Sequence, residues 1–125
     1  MILILGGCDQ GKLGFAKERS GLSEADIFTC GYDTDAIDRS KRCIAYIERF
    51  ALNCVRAGEE PLQALRTDAL RPDAVVIATD ISGGVVPVDA ELRSWREACG
   101  RMNNDLAARA DEVWRLFCGI GQRLK

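Results

Sequence analysis

The sequence predicts a three-layer α/β protein, a mostly parallel sheet with helices on both faces. Three observations carry this expectation. Ile2 to Leu5 is an unbroken apolar run, the pattern of a strand buried on both faces. Ala74 to Thr79 is a second such run, apolar almost throughout. Between and after them apolar residues step by three and four, most clearly at Leu92, Trp95, Cys99, Met102, Leu106 and Ala110.

The first run opens onto Gly6-Gly7-Cys8-Asp9-Gln10-Gly11-Lys12, which fits G-x-x-x-x-G-K. Glycines there allow a tight loop whose backbone N–H groups turn inward around phosphate oxygens. A helix starting near Lys12 aims the positive end of its dipole at the same place, and Lys12 reaches the terminal phosphates as a mobile charge. The expected fold is therefore P-loop NTPase-like, with Gly6 to Leu13 as the nucleotide-binding segment. The pattern normally ends in Ser or Thr, whose hydroxyl ligates Mg²⁺. Here that position is Leu13, which has no ligating atom. The plainer alternative is a Gly-rich turn without a ligand.

Leu13 to Arg19 reads as a first helix, ended by Ser20-Gly21. Ser23 to Asp26 is a polar turn, and Ile27 to Cys30 a short second strand. Asp33, Asp35 and Asp38 follow it, at the strand end where α/β ligands bind. One of them suits a base for a substrate hydroxyl or an outer-sphere metal partner; the favoured reading is that Asp33, Thr34 or Asp35 caps the next helix. That helix is expected over Asp35 to Arg56, with Ile37, Ile44, Ile47, Ala51, Cys54 and Val55 on its apolar face. Arg39, Lys41, Arg42, Glu48, Arg49 and Arg56 cover the other, solvated face, and Gly58 stops it. The basic cluster Arg39-Ser40-Lys41-Arg42 is open to an anionic ligand as well.

Pro61 to Leu70 is expected as another helix, broken by Arg71-Pro72-Asp73. The strand over Ala74 to Thr79 ends in Asp80, where a P-loop protein holds Mg²⁺ directly or through water. Asp80 is thus the candidate metal ligand and, with Lys12, the candidate catalytic pair. The competing role is capping the turn Ile81-Ser82-Gly83-Gly84. The longest helix spans about Asp89 to Ala110, with Arg93, Arg96 and Arg101 on its charged face. Glu112 to Cys118 is a last buried strand, and Gln122 to Lys125 a further edge strand.

At 125 residues, with 17 basic and 19 acidic side chains and a net charge of −2, the chain is expected to be one domain, residues 1–125. No basic stretch is interleaved with aromatics, so nucleic-acid binding has no support. No apolar run approaches the ~18–20 residues of a membrane helix. Met1 leads straight into the apolar run, with no basic leader or cleavage site, so the expectation is a cytoplasmic chain without a signal peptide. Six cysteines form no C-x-x-C, and there is no histidine, which excludes zinc spacing and every histidine-dependent nucleophile. Single buried thiols account for most of them; Cys8, inside the loop, is either a reactive thiol or a donor of its backbone N–H.

A more specific likeness emerges from VVIATDISGGVVPVDAELRSWREACGRMNNDLAARADEVWRLFCGIGQRLK. A buried strand, an acidic residue, G-x-V-P, R-x-W-R-E-x-x-G-R-x-N, L-A-x-x-A-D-E-V and a closing G-I-x-x-x-L-K follow in order. This half resembles the adenosylcobinamide kinase / adenosylcobinamide-phosphate guanylyltransferase family of cobalamin biosynthesis, and GGCDQGK is similar to that family's opening. The resemblance implies a P-loop fold, ATP or GTP as donor, and phosphorylation of the adenosylcobinamide hydroxyl followed by GMP transfer. It carries the phosphate loop onto Gly6 to Lys12 and the family's strand-end acid, usually Glu, onto Asp80. It also implies a homo-oligomer, often a trimer. The chain is shorter than full-length members, its middle departs from their pattern, and the family strand ending in an acidic-Cys-type motif has no clear counterpart. The guanylyl-carrying histidine has no equivalent in a sequence without histidine. The expected function is an adenosylcobinamide kinase-like nucleotide-binding protein without that second activity, or a non-catalytic nucleotide- or corrinoid-binding relative with a regulatory or assembly role.

Overall fold

A computed structural model describes residues 1–125. The six strands are β1 (Ile2–Gly6), β2 (Ile27–Thr29), β3 (Cys43–Ala45), β4 (Val75–Thr79), β5 (Glu112–Phe117) and β6 (Ile120–Arg123). They form one sheet in the order β2-β3-β4-β1-β5-β6. All neighbours are parallel except β5 and β6, which form an antiparallel hairpin at one edge. The helices are α1 (Lys12–Ser20), α2 (Ile47–Arg56), α3 (Pro61–Leu65) and α4 (Ala90–Arg109).

Successive strand side chains point to opposite faces, and the core divides accordingly. Leu3, Ile44, Val76, Ala78 and Val113 face α2, α3 and α4, packing on Ile47, Phe50, Leu65, Cys99, Met102 and Leu106. Ile4, Cys43, Val75, Ile77 and Leu116 face the other way, onto Ala16 and Phe15 of α1 and onto Leu22. Helices on both faces of a mainly parallel sheet are the expected three layers, and β1 in the middle carries its loop to the centre of the carboxyl edge.

Several local expectations are corrected. The helix expected over Asp35 to Arg56 is a strand and a shorter helix: β3, then α2 from Ile47. Residues 31–42 hold turns and no helix, so Asp33, Thr34 and Asp35 cap nothing. Instead Thr34 Oγ1 accepts from the Gly31 N–H at 2.8 Å, and Asp38 Oδ1 accepts from the Ser40 N–H at 3.0 Å. The Ser40 hydroxyl, donating to the same Oδ1 at 2.5 Å, and then the Ser40 N–H hold the Asp38 carboxyl below its ordinary value. The basic cluster is not a solvated helix face. Arg39 donates to the carbonyls of Ala64 and Leu65, Lys41 to that of Ala25, and Arg42 to that of Ser20. Its cations tie the 31–42 segment to its neighbours.

The helix expected over Pro61 to Leu70 ends at Leu65, where Arg66 turns left-handed with φ 51°, and a 3-10 turn spans Thr67–Ala69. The last strand lies at Ile120–Arg123, because Cys118 and Gly119, at φ 50° and 76°, close a two-residue hairpin there. On α4 the expected stripe holds from Trp95 to Ala110, but Leu92 is exposed. Arg93 and Arg96, expected on its charged face, fasten the preceding loop instead: Arg93 donates to the Pro87 and Val88 carbonyls, Arg96 to those of Ser82 and Val85. No helix is long and apolar enough to cross a membrane.

Candidate functional site

The loop between β1 and α1 is shaped by its glycines. A Cβ on Gly6 would stand 2.8 Å from the Leu116 carbonyl oxygen, so only glycine lets β1 end this close to β5. Gly11 has φ 87° and lies against Gly119, which turns the chain left-handed into α1. Asp9 is also left-handed, at φ 54°. The Gln10 side chain accepts from the Cys118 N–H at 2.5 Å, and the Gln10 carbonyl accepts from the Gly119 N–H at 2.9 Å. The hairpin turn thereby braces the loop.

This bracing leaves the loop's donors free. The backbone N–H groups of residues 7 to 14 have no hydrogen-bond acceptor in the protein. The last three belong to the first turn of α1, whose N–H groups have no intrahelical partner. Cys8 to Gly14 line a cleft of about 540 Å³, closed on its far side by Tyr32, Tyr46, Glu48, Arg49, Thr79 and Ile81. A run of unpaired donors at a helix N-terminus is an anion-binding arrangement.

Lys12 is only 4% exposed, and its Nζ donates to the Gly7 carbonyl at 2.5 Å. Burial pulls its pKa below the ordinary lysine value, while the Glu48 carboxylate, Cys8 and Asp9 hold it up. Glu48 is equally buried, in the first turn of α2. Its Oε2 accepts from the Thr79 N–H at 2.9 Å, and its backbone carbonyl accepts from Trp95 Nε1 at 2.7 Å. The carboxylate facing the loop lysine is therefore Glu48, which helical spacing had assigned to a solvated face. A short strand followed by a left-handed Tyr46 without glycine gave no sign of the inward turn.

Asp80 sits at the tip of β4, next to the loop, and its N–H donates to the Gly6 carbonyl at 2.8 Å. Its Oδ1 accepts from the N–H and hydroxyl of Ser82. Those bonds lower its pKa, the hydroxyl contributing most, with help from Arg115 and Arg96. Asp80 borders a second cleft, of about 520 Å³, with Gly6, Gly7, Arg96, Asn103 and Arg115. Lys12 and Asp80 thus line different, adjoining clefts, with Gln10 and Ile81 shared between them. Asp33 and Asp35 line neither cleft. Leu13 packs against the α1 side of the core while lining the first cleft. Cys8 and Cys118 are exposed; the other four thiols are buried. Nowhere do three His, Cys, Asp or Glu side chains gather into a metal-holding group. Glu48 and Asp9 in the Lys12 cleft and Asp80 in the other are the carboxylates available as hard oxygen donors.

A family model described as cobinamide kinase / cobinamide phosphate guanyltransferase matches residues 46–124. That span starts at Tyr46 and so includes Glu48, Asp80 and all of α4, but not the glycine loop. The chain is 42% identical over 72 residues to the bifunctional adenosylcobalamin biosynthesis protein CobU of Salmonella typhimurium, across 56% of this chain and 40% of that protein. It is 39% identical over 51 residues to the protein of the same description from Escherichia coli, across 41% of this chain and 28% of that protein. The matched stretches therefore span less than half the length of these curated relatives.

Proposed function

The chain belongs to the cobinamide kinase / cobinamide phosphate guanyltransferase family, and we propose that it binds ATP or GTP in the Lys12 cleft and transfers the terminal phosphate to an alcohol, adenosylcobinamide by kinship, in cobalamin biosynthesis. The observation that carries this is the row of unpaired N–H groups from residues 7 to 14 around a buried lysine. In this reading Gly6 lets the loop start close against β5, Gly7 to Leu13 offer backbone donors to the phosphate oxygens, and Lys12 leaves the Gly7 carbonyl to meet them.

The acceptor oxygen bonds to the terminal phosphorus as the bridging P–O bond to the next phosphate breaks; the nucleoside diphosphate leaves with that electron pair, and the hydroxyl proton passes to the transferred phosphoryl group or to water. Aligned groups and fixed charge supply the rate, since the transition state asks for little covalent help. Mg²⁺ fits the oxygen chemistry of the site: Glu48 would hold it in the Lys12 cleft, and Asp80, the catalytic partner expected from the strand tip, would act through water from the adjoining cleft. Bound there, the ion supplies charge neutralisation. Leu13 adds no ligand. Guanylyl transfer through a histidine is not among the activities proposed for a sequence with none. By the same kinship the partners are a nucleoside triphosphate and a corrinoid, in a cytoplasmic homo-oligomer.

A second reading is a nucleotide- or corrinoid-binding protein without turnover, serving regulation or assembly. Leu13 and the engagement of Asp80 with Ser82 favour it. One experiment separates the two. ATP and GTP are titrated with and without Mg²⁺, and phosphate transfer to adenosylcobinamide is followed. The kinase reading expects binding and transfer, with transfer lost in Lys12→Ala while the fold persists. Tight binding without transfer selects the second reading, and unchanged turnover in Lys12→Ala removes Lys12 from the mechanism.

A further inference from the structure

Arg49 is a cation without a carboxylate in a chain that pairs many of its arginines. Arg56 pairs with Glu91, Arg71 with Asp73, Arg101 with Glu60 and Arg109 with Asp105. The Arg49 guanidinium instead lies between two rings, its carbon 4.5 Å from the Tyr46 ring centre and 5.3 Å from that of Tyr32. One terminal nitrogen donates to the Cys30 carbonyl at a long 3.3 Å, and the buried Nε has no partner. All three side chains line the cleft of Lys12.

A carboxylate partner would orient this guanidinium but also cancel its charge. Tyrosine faces restrain the plane through cation–π attraction and leave the charge intact. The backbone serves the same end. Tyr46 takes φ 61°, a left-handed conformation disfavoured for a residue with a side chain, and so turns β3 sharply into α2. That turn sets Tyr46 and Arg49 on one side, with the Arg49 N–H donating to the Tyr46 carbonyl at 3.1 Å. A held, unneutralised, planar fork of donors suits phosphate oxygens better than any lysine does.

We propose that Arg49 is the second cation of this cleft, meeting the terminal phosphate of a nucleoside triphosphate across from Lys12, with Tyr32 and Tyr46 as the residues that position it. This rests on the nucleotide reading above. The loop donors wrap the phosphates nearest α1; Arg49, on a different element, faces the end of the chain that the loop leaves uncovered. Its removal therefore affects triphosphate more than diphosphate.

The test is calorimetric titration of ATP, ADP and inorganic tripolyphosphate into the native chain, Arg49→Ala and Arg49→Lys, with Tyr32→Leu as a positioning variant. The native chain is expected to prefer ATP over ADP. Arg49→Ala should weaken ATP and tripolyphosphate about tenfold or more and leave ADP nearly unchanged. Arg49→Lys should recover part of the loss, and Tyr32→Leu should cause a smaller one. An ATP-to-ADP preference equal in the native chain and in Arg49→Ala overturns the proposal while the nucleotide reading stands. So does an equal weakening of both ligands, which marks a merely structural role. A native chain that binds none of the three probes overturns both.

Discussion

Gly6→Ala is expected to unsettle the sheet at the base of the phosphate loop. The new Cβ would lie 2.8 Å from the Leu116 carbonyl oxygen, 3.3 Å from Leu116 Cβ and 3.4 Å from Lys12 Cδ. Optimal non-bonded separations are about 3.5–4.0 Å, so β1 and β5 must part by roughly half an ångström or more. The obstacle is backbone, paired Gly6 to Leu116 in the parallel ladder, and on the other side Gly6 also accepts from the Asp80 N–H at 2.8 Å. Neither side yields freely, and overpacking of this kind costs about 1–3 kcal/mol. Unfolding entropy near ~2.1 cal/mol/K per residue makes 2 kcal/mol about 8 °C in a chain of 125 residues. The control is Gly100→Ala. It sits within α4, a Cβ there meets nothing within 4 Å, and the change should raise the melting temperature by about 2–4 °C. Thermal melts followed by circular dichroism compare them. A Gly6→Ala variant that melts with the native chain would refute the close approach of β1 to β5.

Other consequences are equally direct. Burial pushes the thiols of Cys30, Cys43 and Cys99 up to about 12 and that of Cys54 to about 11, from an ordinary 9.0. Groups raised on folding stabilise fully below the unfolded pKa and lose that contribution as pH rises through the folded one. Stability should therefore fall between pH 9 and pH 12, by about 1.4 kcal/mol per thiol at pH 10, with Cys99→Ala flattening the slope by about one proton; denaturant titrations under reducing conditions at pH 8 and pH 10 measure this. A thiol reagent should label Cys8 and Cys118 rapidly in the native chain and the remaining four only on unfolding, read by mass spectrometry. Asp89 Oδ1 accepts from the Leu92 N–H at 3.1 Å, so Asp89→Ala should cost about 1 kcal/mol in denaturant unfolding. Leu13→Ser restores a hydroxyl at the end of the loop motif, and should strengthen the Mg²⁺ dependence of nucleotide affinity in the same titrations used for the native chain.

The elements legible in the sequence were those whose burial leaves an unambiguous pattern. β1 and β4 lie in mid-sheet and read as unbroken apolar runs, and the buried stripe of α4 repeats at three and four. The glycine loop was legible because its conformation demands glycine at Gly6 and Gly11. β3 was not, since three residues between parallel neighbours are apolar on both faces and have too little length to declare a period. With Cys43–Ala45 taken as helix, Ile47, Ala51 and Cys54 were still placed on the buried face, but the start of α2 was not seen. Glu48 then fell on an outer face, although the Thr79 N–H and the loop lysine draw it inward. Arg49 went with it, because its partners are ring faces and not opposite charges. Tyr46 and Cys118 supply left-handed turns with side chains that usually avoid them, so neither carries a local signal.

The central claim is that the backbone donors of residues 7 to 14 form an anion site. Amide resonances of the ¹⁵N-labelled chain, followed during a titration with Mg²⁺-ATP and separately with inorganic tripolyphosphate, test it most directly. Both ligands are expected to shift the amides from Gly7 to Gly14 most strongly, in a saturable way. Shifts confined to other segments, or none in the loop at millimolar ligand, would contradict it.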